Sequence, residues 1–190
     1  MRLFIAVVPS EKQKEELHRL QLRLESSLDG VKWVRPAAQH LTLKFLGRQD
    51  ENLLAAITGS MQNAARALEP FALQFEGIGV FPSPRRARVL WAGVTAGAAE
   101  LKALAAALEK ELAAKGFAAE KRPFRAHLTL GRVRRPVPEK VLQAVLSSES
   151  SFFTGITRVQ SVSLYRSRLT PGGAHYTALK EIFFDQDRGK

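Results

Sequence analysis

The sequence predicts an α+β fold of two lobes related by a pseudo-twofold axis. Each lobe is expected to be a mainly antiparallel sheet with helices outside, and the two to face each other across a central cleft. Three observations predict this. A strand–helix–strand pattern over residues 3–47 returns over 88–133. The tetrapeptide His-Leu-Thr-Leu occurs in both units, at 40–43 and 127–130. Phe4 precedes His40 by 36 positions, and Trp91 precedes His127 by the same 36. Such recurrence indicates one supersecondary unit used twice. No linker or low-complexity stretch interrupts the chain, so residues 1–190 read as a single bilobal domain.

Each element follows from local pattern. LFIAVV (3–8) is a short apolar run of strand type, and Ser10 and Gln13 stand at capping-box spacing before a helix. Leu17, Leu20, Leu24 and Leu28 recur at steps of three and four, marking one helical face that Gly30 terminates. HLTLKFLG (40–47) reads as a strand, 51–68 as a helix and 71–79 as one strand. In the second unit 88–94 is a strand. Leu101, Leu104, Leu108 and Leu112 repeat the helical spacing, Gly116 sits where a C-terminal cap belongs, and 127–133 is a strand. A helix over 138–147 and strands over 158–169 and 175–184 complete the chain. Pro171-Gly172-Gly173 supplies the turn between the last two strands, and the closing DQDRGK is expected to fray.

Composition narrows the function. There is no cysteine, hence no disulfide, thiolate metal site or thiol nucleophile. No apolar run approaches the roughly 18 residues of a membrane span. The opening MRLFIAVVPS is too short for a signal peptide, so a cytoplasmic location is expected. Lys and Arg number 29 against 18 Asp and Glu, a net charge of +11. Lys121, Arg122, Arg125, Arg132, Arg134 and Arg135 crowd an acid-free stretch, and Arg85, Arg86 and Arg88 form a second cluster. Patches of this kind meet polyanions with salt-sensitive affinity, although general solubility would also account for them.

The two HxT motifs carry the chemistry. In a strand, His40 and Thr42 share one face while Leu41, Leu43 and Phe45 share the other, and His127 and Thr129 are likewise opposed to Leu128 and Leu130. The leucines anchor each strand to its lobe and leave the polar face to the cleft. Two imidazoles with ordinary pKa values near 6.5 suit acid–base cleavage of a phosphodiester near neutral pH. The threonine hydroxyls can hold phosphoryl oxygens. Lys44 follows the alternation onto the same face as His40. Arg132 falls on the opposite face by strict alternation. A bulge at Gly131 would turn it inward to grip a phosphate, and otherwise it is a solvated arginine; the spacing leaves both open. His18 reads as solvated on the polar side of its helix, and His175 carries no assignment. The spacing lacks an HxH or HxxxH ligand set, GxSxG, GxGxxG and a P-loop, so neither metal nor cofactor is expected.

At these residues the sequence resembles the two-histidine (2H) phosphoesterases, and within them the RNA 2′,3′-cyclic phosphodiesterases often labelled 2′–5′ RNA ligases, the LigT-like fold. MRLFIAVVPS resembles the family's opening strand, Trp33 with Pro36 and HLTLKFLG its first motif, FRAHLTLGR its second, and LYRSRLTPGGAHY its C-terminal hairpin. The resemblance implies metal-independent hydrolysis of an RNA 2′,3′-cyclic phosphate end to a 2′-phosphate. It implies that His40 protonates the departing 3′ oxygen, that His127 activates or orients water, that Thr42 and Thr129 hold the phosphate and that Arg132 contacts it. Phe81 and Tyr165 are candidates to stack on the terminal base, or else a loop anchor and a core residue. The implied partner is RNA with a cyclic phosphate end, whether a tRNA fragment or a small cyclic nucleotide, met by a monomer without a membrane. Two alternatives remain: 2′–5′ joining of such an end to a 5′-hydroxyl, and a non-catalytic RNA-end binding module.

Overall fold

A computed structural model describes residues 1–170 and 173–184. The chain forms ten strands and four helices within that range. In the first half these are β1 (Arg2–Val7), α1 (Glu11–Glu25), β2 (Val31–Trp33), β3 (Leu41–Arg48), α2 (Leu54–Ala65), β4 (Phe71–Leu73), β5 (Phe75–Phe81) and β6 (Val89–Val94). α3 (Ala98–Ala113), β7 (His127–Val133), α4 (Glu139–Ser148), β8 (Thr157–Val159), β9 (Ser161–Thr170) and β10 (Gly173–Phe183) complete it. One sheet, here sheet A, has the order β10-β9-β1-β3, and sheet B has the order β2-β7-β6-β5; β4 and β8 form a small third pair. Neighbouring strands are antiparallel throughout.

The leucine faces behave as their spacing predicts. Leu17, Leu20, Leu24 and Leu28 of the first unit, and Leu101, Leu104, Leu108 and Leu112 of the second, all lie in one buried core. Ser10 Oγ accepts from the Gln13 N–H and caps α1. The Gln13 side chain does not complete the box; its amide donates to the carbonyls of Leu73 and Gly155 and ties α1 to neighbouring chain. Gly116, at φ +84°, ends α3 in the left-handed conformation the sequence calls for, with the Phe117 N–H donating to the Leu112 carbonyl.

Helices are exchanged between the repeats. α1 belongs to the first unit, yet Gln21 donates to the Leu130 carbonyl of β7, in sheet B. α3 belongs to the second unit but packs on β3, and α2 packs on β9 and β10, all in sheet A. Sheet A is therefore packed by a helix of the other unit, and α1 is tied across to sheet B.

Three details differ from the sequence reading. Residues 71–79 are two strands in different sheets, and 158–169 likewise breaks at Gln160, because β4 and β8 leave the main sheets to pair with each other. β2 was not expected; it is three residues long and carries no periodicity of its own. The 36-residue spacing does not align the strands, since Ala6, not Phe4, faces Thr42, whereas Trp91 faces Thr129. The turn residues Pro171 and Gly172, and the terminal DQDRGK, lie outside the described residues.

A further correction concerns Lys44. Ala6 pairs with Thr42 and Ile5 with Lys44, so Leu43 is an extra residue and β3 bulges there. The bulge reverses the alternation beyond Thr42. Lys44 therefore turns away from the cleft, is 3% exposed, and gives its ammonium to Glu109 Oε2 at 2.6 Å and the Ala118 carbonyl at 2.7 Å. Partial burial works against the charge on Glu109. Hydrogen bonds from Lys44 and the Glu120 N–H, with the Lys44 charge, outweigh it and hold this carboxyl below the usual range. Lys44→Ala is expected to lower unfolding stability by about 2–3 kcal/mol, because it strands a partly buried carboxylate, while KM stays unchanged. Urea unfolding and steady-state kinetics check this; a raised KM at unchanged stability would return the lysine to the cleft.

Candidate active site

Both motif histidines stand at the mouth of their strands in the same local geometry. His40 Nδ1 lies 2.8 Å from the Ala38 carbonyl, and His127 Nδ1 lies 2.7 Å from the Arg125 carbonyl. A carbonyl only accepts, so Nδ1 carries the proton in both rings and Nε2 is left free. Among the described residues neither Nε2 has a partner, and neither do the hydroxyls of Thr42 and Thr129. β3 and β7 approach within 8 Å between Cα atoms although they lie in different sheets. Arg132, on the strand of His127, is near enough to His40 for its charge to act on that ring, so the two motifs border one cleft.

The second strand bulges as the first does. Trp91 pairs with Thr129 and Leu90 with Gly131, leaving Leu130 extra. Arg132 is turned to the cleft, where its guanidinium acts on the ionisation of both His40 and Tyr176 across the gap. Phe45 occupies the equivalent place in β3, five residues after its histidine, and is 61% exposed at the rim. The bulge stands beside Gly131, and the equivalent bulge at Leu43 has no glycine next to it. A Cβ on Gly131 would stand 2.4 Å from Val31 Cγ1, so glycine there admits β2. The carbonyl of the bulged Leu130 accepts from the Val34 N–H and from Gln21 Nε2, both at 2.8 Å. Gln21 Nε2 also donates to the Val34 carbonyl, and its Oε1 accepts from Gln39, the residue before His40. One buried glutamine thus ties the lead-in of His40 to the strand of His127.

Aromatic rings wall the two imidazoles. His40 lies 4.7 Å from the Phe4 ring and meets Tyr176 edge-on at 5.0 Å, and Tyr165 stacks on Phe4 at 5.3 Å. His127 meets Phe81 edge-on at 5.1 Å and Trp91 at 6.4 Å. Trp91 lies flat across Gly79, where a Cβ would fall 2.2 Å from the indole. These contacts fix ring orientation and shield one side of each imidazole from water. Burial is the main force holding His40 below the ordinary imidazole pKa; the Ala38 carbonyl works against it, and the Arg132 charge adds to it.

The structure brings together His40, Thr42, His127, Thr129 and Arg132, with Phe81 against His127 and Tyr165 in the ring cluster of His40; Lys44 is absent from the cleft. Sequence reasoning missed the site roles of Phe4, Trp91, Tyr176 and Gln21. The one local hint was Gly79, a glycine inside a strand, which signals that something large lies over it. His18 is exposed, as expected.

Residues 7–91 and 93–176 match the family described as LigT like phosphoesterase, one HxT motif in each stretch. A Methanothermobacter thermautotrophicus protein named RNA 2′,3′-cyclic phosphodiesterase is 38% identical over 96% of this chain and 98% of its own. A protein of the same name from Archaeoglobus fulgidus is 38% identical over 95% of this chain and 98% of its own. Among solved structures, TT0787 of Thermus thermophilus superposes with a TM-score of 0.82 at 28% identity, covering 98% of this chain and all of that one. Escherichia coli LigT complexed with 3′-AMP gives 0.75 at 25% identity, covering 97% and 98%.

The electrostatic arrangement predicts that His40 titrates below the ordinary value of about 6.5 in the free protein, and that Arg132→Ala raises it by removing an adjacent positive charge. Imidazole NMR against pH reads both; a His40 at or above the ordinary value, or unmoved by the substitution, contradicts the geometry.

Proposed function

The chain belongs to the LigT-like phosphoesterase family, and on that premise we propose that it hydrolyses 2′,3′-cyclic phosphate ends of RNA to 2′-phosphates, with His40 and His127 as the acid–base pair. The observation that carries this reading is the matched pair of Nδ1–H to carbonyl bonds, which leaves two Nε2 atoms and two threonine hydroxyls unengaged over one cleft. The names of the relatives supply the substrate: RNA 2′,3′-cyclic phosphodiesterases at 38% identity over nearly the full chain.

The reaction then runs as an in-line displacement. His127 Nε2 takes a proton from water as its oxygen attacks phosphorus. The bond to the 3′ oxygen breaks, and His40 Nε2–H protonates that oxygen, leaving the phosphate on the 2′ position. Thr42 and Thr129 donate to the non-bridging oxygens, and Arg132 neutralises charge that grows in the transition state. In the free protein burial and Arg132 disfavour the protonated form of His40. A bound phosphate anion acts in the opposite sense, so substrate binding itself favours the acid form. Phe81, beside His127, and Tyr165, against Phe4, are the residues assigned to stack on a base, while Lys44 is left out of the mechanism. The same reading gives a cytoplasmic monomer whose partner is the RNA end; among the described residues no helix is long and apolar enough to cross a membrane.

His40→Ala and His127→Ala are each expected to lower turnover of a cyclic-phosphate-ended oligoribonucleotide by about 10²–10⁴-fold with unchanged circular dichroism. Near-normal turnover in either variant would remove the acid–base pair.

A further inference from the structure

The cleft face of sheet A extends beyond the phosphate-holding residues. Strand register sets Thr42, Ala6, Ser163 and Glu181 side by side across β3, β1, β9 and β10. At about 4.8 Å per strand, Glu181 stands roughly 14 Å from Thr42 along this row. Ala6, between them, raises only a methyl group and is fully buried, so a ligand would lie over the side chains around it. At the far end a cavity of about 280 Å³ opens, bounded by Tyr165, Ser161, Ser163, Glu181, Arg158 and Phe183. Tyr165 belongs to both regions. One face of its ring stacks on Phe4, which packs against His40, and the ring also lines the cavity.

Glu181 is the unexpected residue. In a chain of net charge +11 it makes no ion pair with Lys or Arg among the described residues, although Arg158 lines the same cavity, and it sits on the same sheet face as a site for an anion. Its recorded side-chain bond is from Ser161 Oγ to Oε1, at 2.5 Å, which leaves the second carboxylate oxygen to accept from something else. The free oxygen is open to a strong donor, and N–H groups that form charge-assisted hydrogen bonds are such donors. Ser163 and Glu181 are both close enough to the Tyr165 hydroxyl to act on its ionisation, so the polar groups converge on one place.

We propose that this cavity is the subsite for the terminal nucleobase, with Glu181 accepting hydrogen bonds from the base edge and thereby favouring guanine. Guanine presents two adjacent donors, N1–H and its exocyclic amine, which can share the free carboxylate oxygen; uracil offers a single N–H. Tyr165 flanks the base, and the row from Thr42 to Glu181 spans the reach from a ribose phosphate to the far edge of its own base. The inference rests on the reading of the His40–His127 cleft as the phosphate site.

The test compares guanosine and uridine 2′,3′-cyclic monophosphates on the wild-type protein and on Glu181→Gln, together with calorimetric binding of guanosine and uridine 2′-monophosphates. The wild type is expected to show a KM about tenfold lower for the guanosine substrate, the worth of one charge-assisted hydrogen bond. Glu181→Gln should bring the two KM values together with kcat unchanged, and uridine turnover reports that the variant is folded. Equal KM values in the wild type, or a guanosine preference that survives the substitution, would overturn the subsite. Absence of turnover with both substrates would overturn the reaction instead, and the calorimetric ratio would still decide the subsite.

Discussion

A histidine that gives its Nδ1–H to the carbonyl two residues behind it has one nitrogen left to offer, and this protein imposes that condition twice. The bond selects the tautomer, fixes the ring on its backbone and leaves Nε2 to whatever enters the cleft. It forms where the chain turns into β3 and β7, before the strand ladder claims the carbonyl. Everything else in the site serves to bring these two locked rings together. The exchanged helices join the sheets into one core, and Gln21 ties Val34 and Gln39 on one side to Leu130 on the other. The bulges after the threonines choose which later side chain joins them.

The two half-sites repeat one pattern and are unequal in the residues around it. The position four after the histidine is Lys44 in one half and Gly131 in the other. The first is tied to α3, and the second is bare so that β2 fits. The position five after is Phe45 in one half and Arg132 in the other, one apolar and one cationic on the same cleft. His40 is held against Phe4 and Tyr176 with its protonated form disfavoured, while His127 makes its Nδ1 bond at the surface. A symmetric pair would have no reason to divide the roles of acid and base. This pair has different surroundings in each half.

Much of this was legible because period-two and period-3.6 patterns are local. The alternation of His-Leu-Thr-Leu placed both polar pairs on one face, and the leucine steps gave both long helices and their buried sides. What failed was whatever depends on pairing. Lys44 was misplaced because a bulge at Leu43 leaves no mark in sequence, whereas the bulge beside Gly131 was anticipated from the glycine. β2 is too short to show a period, and it exists because β7 offers it an edge. Phe4, Trp91 and Tyr176 come from three strands in two sheets, so their approach to the histidines is a fact of register that no single segment contains.

On the proposed mechanism the cleft breaks the bond to the 3′ oxygen of a cyclic phosphate with these side chains alone. EDTA-treated protein incubated with an oligoribonucleotide ending in a 2′,3′-cyclic phosphate, with the products separated by position of the phosphate, tests it most directly. The account predicts a 2′-phosphate end, formed at the untreated rate. A 3′-phosphate end, or activity that returns only with added metal, would contradict it.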